Sequence, residues 1–206
     1  MLISFEGLDF SGKTTQIKLL VEKLQRHKFS VVLVREPGGT AISEKIREIL
    51  LDKKYSEMTE IAELLLFSAA RTQLVSEVIL PAVQSGKIVI CDRFVDSTTA
   101  YQGYGRGINL DAVNQINKLA THSTMPDITF FIDIPLTVIT QRLMDSNSST
   151  DRMEAAGKTF FEKTRNGYIN IAKNEPNRFI IIDGNRDIDI IHEEVWNIVR
   201  SRLNIP

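Results

Sequence analysis

Gly7-Leu8-Asp9-Phe10-Ser11-Gly12-Lys13-Thr14 decides the fold of this chain. The stretch has the spacing G-x-x-x-x-G-K-[ST]. An apolar run, Leu2–Phe5, precedes it and an amphipathic segment, Thr14–His27, follows. Strand, glycine-rich turn and helix in that order build a phosphate cradle. Glycine at 7 and 12 permits torsions and close approach that a Cβ would hinder. The loop amides then turn inward toward phosphate oxygens, and the helix adds the positive end of its dipole. Lys13 is expected to reach the β- and γ-phosphates, with the Thr14 hydroxyl on Mg²⁺. Such a cradle implies nucleotide binding. It does not choose among kinase, GTPase and motor ATPase.

Outward from the cradle, short apolar runs alternate with helical patterns. Val31–Val34, Ile88–Cys91, Ile128–Ile132 and Phe179–Ile182 are apolar almost throughout, as strands covered on both faces are. Between them lie helical patterns over Ile42–Leu51, Ile61–Gln84, Leu110–Thr121, Leu136–Leu143, Phe160–Lys173 and Ile190–Leu203. This alternation predicts α/β architecture of the P-loop NTPase type: three layers, α/β/α, around a central five-stranded parallel sheet. One domain over residues 1–206 is expected, because no repeat or linker interrupts the pattern. The polar segment Asp145–Lys158 reads as a mobile surface loop.

Composition narrows the function. The 206 residues are 43% hydrophobic and 25% charged, with net charge −1, so no charge excess argues for nucleic acid. Cys91 is the single cysteine and reads as a buried small hydrophobe. His27, His122 and His192 have no metal-ligand spacing. No membrane span is expected from the apolar runs. The first residues lack a signal-peptide layout, so a cytoplasmic location is expected.

A second acidic strand end is needed near the metal. Ile88-Val89-Ile90-Cys91-Asp92 supplies it, and Arg93 follows directly. A guanine-reading N-K-x-D loop is missing, because Asn117-Lys118-Leu119-Ala120 lacks the aspartate. A motor ATPase needs partner-sensing regions for which the chain has little room. Arg35, Arg47, Arg71, Arg93 and Arg106 fall at element ends or in loops, where guanidinium forks suit an anionic acceptor.

Several motifs together resemble the thymidylate kinase family. They are Phe5-Glu6-Gly7-Leu8-Asp9 running into Gly12-Lys13-Thr14-Thr15-Gln16, then Arg35-Glu36-Pro37-Gly38-Gly39-Thr40, and Phe67-Ser68-Ala69-Ala70-Arg71. Asp92-Arg93-Phe94 with Asp96-Ser97, and Ala100-Tyr101-Gln102-Gly103, complete the set. The resemblance covers nearly the whole chain. It implies transfer of the ATP γ-phosphoryl group to dTMP with Mg²⁺, for dTTP and DNA synthesis, by a homodimer without nucleic-acid or membrane partners. It further implies ATP binding by Gly7, Leu8, Asp9, Phe10, Ser11, Gly12, Lys13, Thr14 and Thr15, with Arg142 near adenine. Thr14 and Asp92 would serve the metal. Asp9, Glu36, Arg47, Arg93 and Ser97 would contact the acceptor or its surroundings, Phe67 would stack on thymine, and Arg71 would donate to O4. Gln102 would read N3, and Tyr101 would lie under the deoxyribose.

By the same resemblance, Asp145–Lys158 is a lid that closes over ATP and brings Arg152 to the phosphates. Lys13, Asp9, Arg93 and Arg152 then form the catalytic set. Two features depart from the family's pattern. Phe10 stands where members often carry glycine, and Arg152 is the lid's only arginine. The alternatives are another deoxynucleoside or nucleoside monophosphate kinase, or a nucleotide-binding module without catalysis.

Overall fold

Five strands, β1 (Leu2–Glu6), β2 (Val31–Arg35), β3 (Ile88–Asp92), β4 (Ile128–Asp133) and β5 (Phe179–Asp183), pair in parallel in the order β2-β3-β1-β4-β5. Each runs one residue past its apolar stretch and ends on a charged side chain. The computed structural model describes residues 1–146 and 151–205, so positions 147–150 of the expected lid lie outside the described residues.

The connections are helical: α1 (Lys13–Arg26), α2 (Ala41–Leu51), α3 (Glu60–Leu74), α4 (Leu80–Gln84), α5 (Val95–Thr98), α6 (Leu110–Ala120), α7 (Leu136–Asp145), α8 (Lys158–Asn174) and α9 (Ile188–Arg202). A π-helical turn, Val75–Ile79, joins α3 to α4, and a second, Thr99–Gly105, extends α5.

Alternation along the strands sorts the core into two faces. Ile3, Phe5, Ile88, Ile90, Phe130 and Ile132 pack with Ile17, Leu20 and Leu24 of α1 and Val195, Trp196 and Val199 of α9. Leu2, Val89 and Cys91 turn the other way, onto Leu74, Val75 and Ile79. Phe131, on that same face, packs with Tyr168 and Ile171 of α8. Cys91 is a buried free thiol. The helical stretch Glu60–Gln84 is long and apolar enough to cross a membrane by composition. Here Leu64, Leu74, Val75 and Ile79 are buried in the protein, and the stretch also buries Glu63 and Arg71.

The stretch around Tyr101 and Gln102 falls in none of the helical patterns read from the sequence. Both residues lie in the π-helical turn, whose wide winding closes with Arg106 N–H donating to the Tyr101 carbonyl at 2.9 Å. The glycines there serve close packing. A Cβ on Gly105 would come within 2.7 Å of the Phe160 ring. From the opposite side, a Cβ on Gly167 of α8 would meet Tyr104 at 2.8 Å.

Gly167→Ala therefore forces α8 away from the π-helical turn. The expected cost is about 1–3 kcal/mol of unfolding free energy, read by urea denaturation. An unchanged unfolding midpoint would mean that the two elements are only loosely apposed.

Candidate active site

The sheet order places β1 between β3 and β4, so the crossover from β1 runs to one side, to β2, and the crossover from β3 runs to the other, to β4. Open α/β sheets bind ligands in the crevice outside the strands' carboxyl ends at such a point. Glu6 ends β1 there, and Asp92 ends neighbouring β3.

The loop after β1 winds tightly. Gly7 adopts φ 142°, and a Cβ on it would lie 2.7 Å from the Ile132 carbonyl oxygen. Phe10 has φ 62°, a left-handed conformation that a glycine would adopt without strain. Lys13 curls back over the loop and donates to the Gly7 and Leu8 carbonyls at 3.0 and 2.9 Å. Burial and the nearby Arg93 charge lower its pKa to about 8, with Asp9 and Asp92 acting in the opposite direction. The Ser11 hydroxyl is buried without a hydrogen-bond partner among the described residues. Arg142 of α7 donates to the Phe10 carbonyl at 2.8 Å, which ties α7 to the loop.

The loop residues Asp9 through Thr15, with Arg35, Glu36, Arg47, Asp92 and Arg93, line a cavity of about 400 Å³. Thr14 Oγ1 donates to Asp92 Oδ2 at 3.5 Å on its wall. A neighbouring narrow cavity of about 100 Å³ is lined by Phe67, Arg71, Ser97, Tyr101, Gln102 and Met153, among others. Asp9, Glu36, Arg47 and Arg93 line both cavities.

The shared wall is highly charged. Arg93 donates to Asp9 at 2.8 Å and to Ser97 at 3.4 Å, and its guanidinium lies 5.2 Å from the Tyr101 ring centre. Burial pushes the Asp9 carboxyl up, but Arg93 and Lys13 outweigh it and bring the pKa to about 2. Arg47 donates to the Pro37 carbonyl at 3.0 Å. Arg35 instead pairs with Glu44 at 2.9 Å.

Behind the wall, Glu36 and Arg71 form a buried pair at 2.7 Å. Burial raises the Glu36 carboxyl and Arg71 pulls it back, with a net upward shift. Its second oxygen, Oε1, is buried without a hydrogen-bond partner among the described residues. Arg71 has protein partners on all its guanidinium nitrogens: Nε on Glu36, Nη1 on Thr98 and Asn117, and Nη2 on the Phe94 carbonyl.

The cradle, Asp92, Arg93, Arg47, Glu36, Phe67, Arg71, Ser97, Tyr101 and Gln102 thus converge. Arg152 is held elsewhere. Its Nε donates to the Leu50 carbonyl at 2.7 Å and its Nη1 pairs with Glu63 at 2.7 Å.

Sequence reading gave no role to two buried carboxylates. Glu63 accepts from Gln102 and Arg106 and pairs with Arg152. It lies one and two turns before Phe67 and Arg71, a spacing that could have drawn notice. Glu6 accepts from Ser4 at 2.9 Å, Phe94 N–H at 2.7 Å, Ser97 at 2.5 Å and Tyr168 at 2.9 Å. Burial and Asp96 raise its pKa to about 7, against its hydrogen bonds and Arg93.

Comparison with known proteins identifies the family. A family model described as thymidylate kinase matches residues 5–195. A thymidylate kinase of Fervidobacterium nodosum is 48% identical, over 98% of this chain and 100% of its own. That of Pelotomaculum thermopropionicum is 47% identical, over 98% of this chain and 94% of its own. The crystal structure of thymidylate kinase from Ehrlichia chaffeensis superposes with TM-score 0.79 at 40% identity, covering 97% of this chain and 98% of that one.

Glu6 gives the fold a pH dependence of definite sign. Its folded pKa of about 7 lies above the ordinary 4.5, so the folded state holds this proton more tightly. The contribution to stability is complete below pH 4.5 and is lost as pH rises through about 7. Across that window the wild type should lose up to about 3 kcal/mol relative to Glu6→Gln, measured by urea unfolding. Parallel pH profiles for the two proteins would disprove the assignment.

Proposed function

The chain belongs to the thymidylate kinase family, and on that basis we propose that it transfers the γ-phosphoryl group of ATP to dTMP, giving ADP and dTDP. The observation that carries this reading is the wall of Asp9, Glu36, Arg47 and Arg93 common to the two cavities. A donor phosphate in the cradle and an acceptor phosphate beyond it meet at that wall. An acceptor phosphate oxygen attacks the γ-phosphorus in line, the new O–P bond forms, and the bond to the β-phosphate oxygen breaks. The acceptor is already anionic, so the protein supplies geometry and charge rather than a strong base.

Lys13 leaves the loop carbonyls for the β- and γ-phosphates, where the added negative charge favours its protonated form. Arg93 and Arg47 hold the acceptor phosphate, and Asp9 holds Arg93 between turnovers. Phe67 faces the thymine ring, Arg71 and Gln102 its polar edge, and Tyr101 the sugar. Ser97 and Arg142 complete the acceptor and adenine sides. Thr14, Asp92 and the unpartnered Glu36 oxygen form the hard-oxygen set that suits a hydrated Mg²⁺. Bound there, Mg²⁺ supplies positive charge to the β- and γ-phosphate oxygens. One kinase domain, with its lid at about 145–158, fits a cytoplasmic role in dTDP biosynthesis.

Phosphorylation assays with dTMP, dUMP, dCMP, dGMP and AMP, with and without Mg²⁺, test this function. The expected result is metal-dependent transfer, with dTMP preferred over dCMP by about 10⁴-fold. Lys13→Ala should lower kcat by roughly 10²–10³-fold with the fold intact. Near-normal turnover in Lys13→Ala, or a stronger preference for another acceptor, would overturn the reading.

A homodimer is the second part of the proposal. Ile42 and Ile49 of α2, Ile61 and Leu65 of α3, and Leu119 of α6 are exposed large apolar residues on α3 and the two helices packed against it. Sedimentation should return twice the chain mass of 23.3 kDa. Leu65→Glu should shift the protein to monomer, and a wild-type monomer at micromolar concentration would refute the dimer.

A further inference from the structure

Glu63 is 1% exposed and lies on the face of α3 that carries Phe67 and Arg71. Its Oε1 accepts from Gln102 Nε2 at 2.9 Å and Arg106 Nε at 3.0 Å. Its Oε2 accepts from Arg106 Nη2 at 2.9 Å and pairs with Arg152 Nη1 at 2.7 Å. Burial pushes this carboxyl up. The donors of Arg106, Gln102 and Arg152 outweigh the push and leave it below the ordinary carboxylate range. It is therefore ionised in neutral solution.

An ionised carboxylate only accepts hydrogen bonds. The Gln102 amide must turn its NH₂ toward Glu63, so its carbonyl oxygen is left on the other side of the amide. Gln102 is 2% exposed and lines the narrow cavity. A glutamine with no such neighbour can offer either end at similar cost. With Glu63 beside it, the end left for a ligand is an acceptor.

We propose that Glu63 is a positioning residue that sets base selectivity by fixing the orientation of the Gln102 amide. The acceptor end suits a pyrimidine with a proton on N3, as in thymine and uracil. It opposes cytosine, whose N3 lone pair would face the carbonyl lone pairs. Two acceptors face to face leave both unpaired in a buried site, which is the costly case. Arg106 and Arg152 keep the carboxylate charged and in place, and Arg106 is itself braced 4.4 Å from the centre of the Phe160 ring. The proposal rests on the reading of the narrow cavity as the site of the acceptor base.

The test measures kcat/KM for dTMP and for 5-methyl-dCMP, which keeps the methyl group and differs at C4 and N3. The proteins are the wild type, Glu63→Gln, Glu63→Asp, Gln102→Ala and the double variant Glu63→Gln/Gln102→Ala. Glu63→Gln should reduce the preference for dTMP by roughly 10–100-fold. Glu63→Asp, which keeps the carboxylate, should restore part of it. The double variant should match Gln102→Ala alone, because Glu63 acts through Gln102.

Equal losses on both substrates in Glu63→Gln, with the preference intact, would reduce Glu63 to a structural role and overturn the proposal. So would additive effects in the double variant. An unchanged preference in Gln102→Ala would overturn the base-site reading itself, and the proposal with it. Nitrogen-15 NMR of the unmodified protein gives an answer even if Glu63→Gln does not fold. The Gln102 NH₂ resonances, assigned by their loss in Gln102→Ala, should stay carboxylate-bonded with and without dTMP. Their move to free-amide positions when dTMP binds would overturn the proposal.

Discussion

The buried carboxylate of Glu6 holds the two halves of the site in register. A charge taken out of water must be compensated where it lies. Here the hydroxyls of Ser4, Ser97 and Tyr168 and the Phe94 N–H provide the compensation. These donors come from β1, from the turn and helix after β3, and from α8. To deliver the Phe94 N–H, the chain bends sharply after Asp92, and Arg93 takes φ 69°. That bend leaves the Arg93 guanidinium on Asp9 in the phosphate loop. Packing at the end of β1 thus decides where the cation between the two cavities stands.

The other side chains of the site follow the same logic. Glu36 holds Arg71, Glu63 holds Gln102 and Arg106, and Asp9 holds Arg93. Deeply buried pairs of this kind add little net stability, because desolvation cancels much of the attraction. Their value lies in orientation fixed before a substrate arrives. The partly exposed pairs differ. Asp9 is 43% exposed, and Lys13 stands 3.9 Å from it. Phosphates can take both Lys13 and Arg93 from Asp9 without stranding a buried charge. Arg71 and Gln102, held by the fixed pairs, line the narrow cavity, while Lys13 lines the phosphate cavity and Asp9 and Arg93 line both.

This division explains what the sequence made legible. Strand runs were readable because continuous apolar stretches mark them, and every carboxyl-terminal boundary fell short by one residue. The missing residues, Glu6, Arg35, Asp92, Asp133 and Asp183, break the apolar pattern while still pairing in the sheet. The phosphate loop was readable because its chemistry is local backbone geometry. The helix through Tyr101 and Gln102 was not, since Gly103 and Gly105 look like breakers until α8 is packed against them. Glu6 and Glu63 were silent for a related reason. Each is one acid in an apolar context, and its partners come from distant parts of the chain.

Arg152 has a phosphate role only by the family resemblance, which places it on a lid over ATP. In the fold it meets two stronger local attractions, the Glu63 carboxylate and the carbonyl end of α2 at Leu50 and Leu51. Asp151 and Met153 beside it line the narrow cavity, so this part of the loop helps wall the acceptor side. A move of Arg152 to the transferred phosphoryl would exchange one carboxylate for a more highly charged anion. Glu63 would keep Arg106 and Gln102, with hydrogen bonds to both of its oxygens. Two arginines on one carboxylate therefore allow the loop to change partners while the Gln102 amide keeps its orientation.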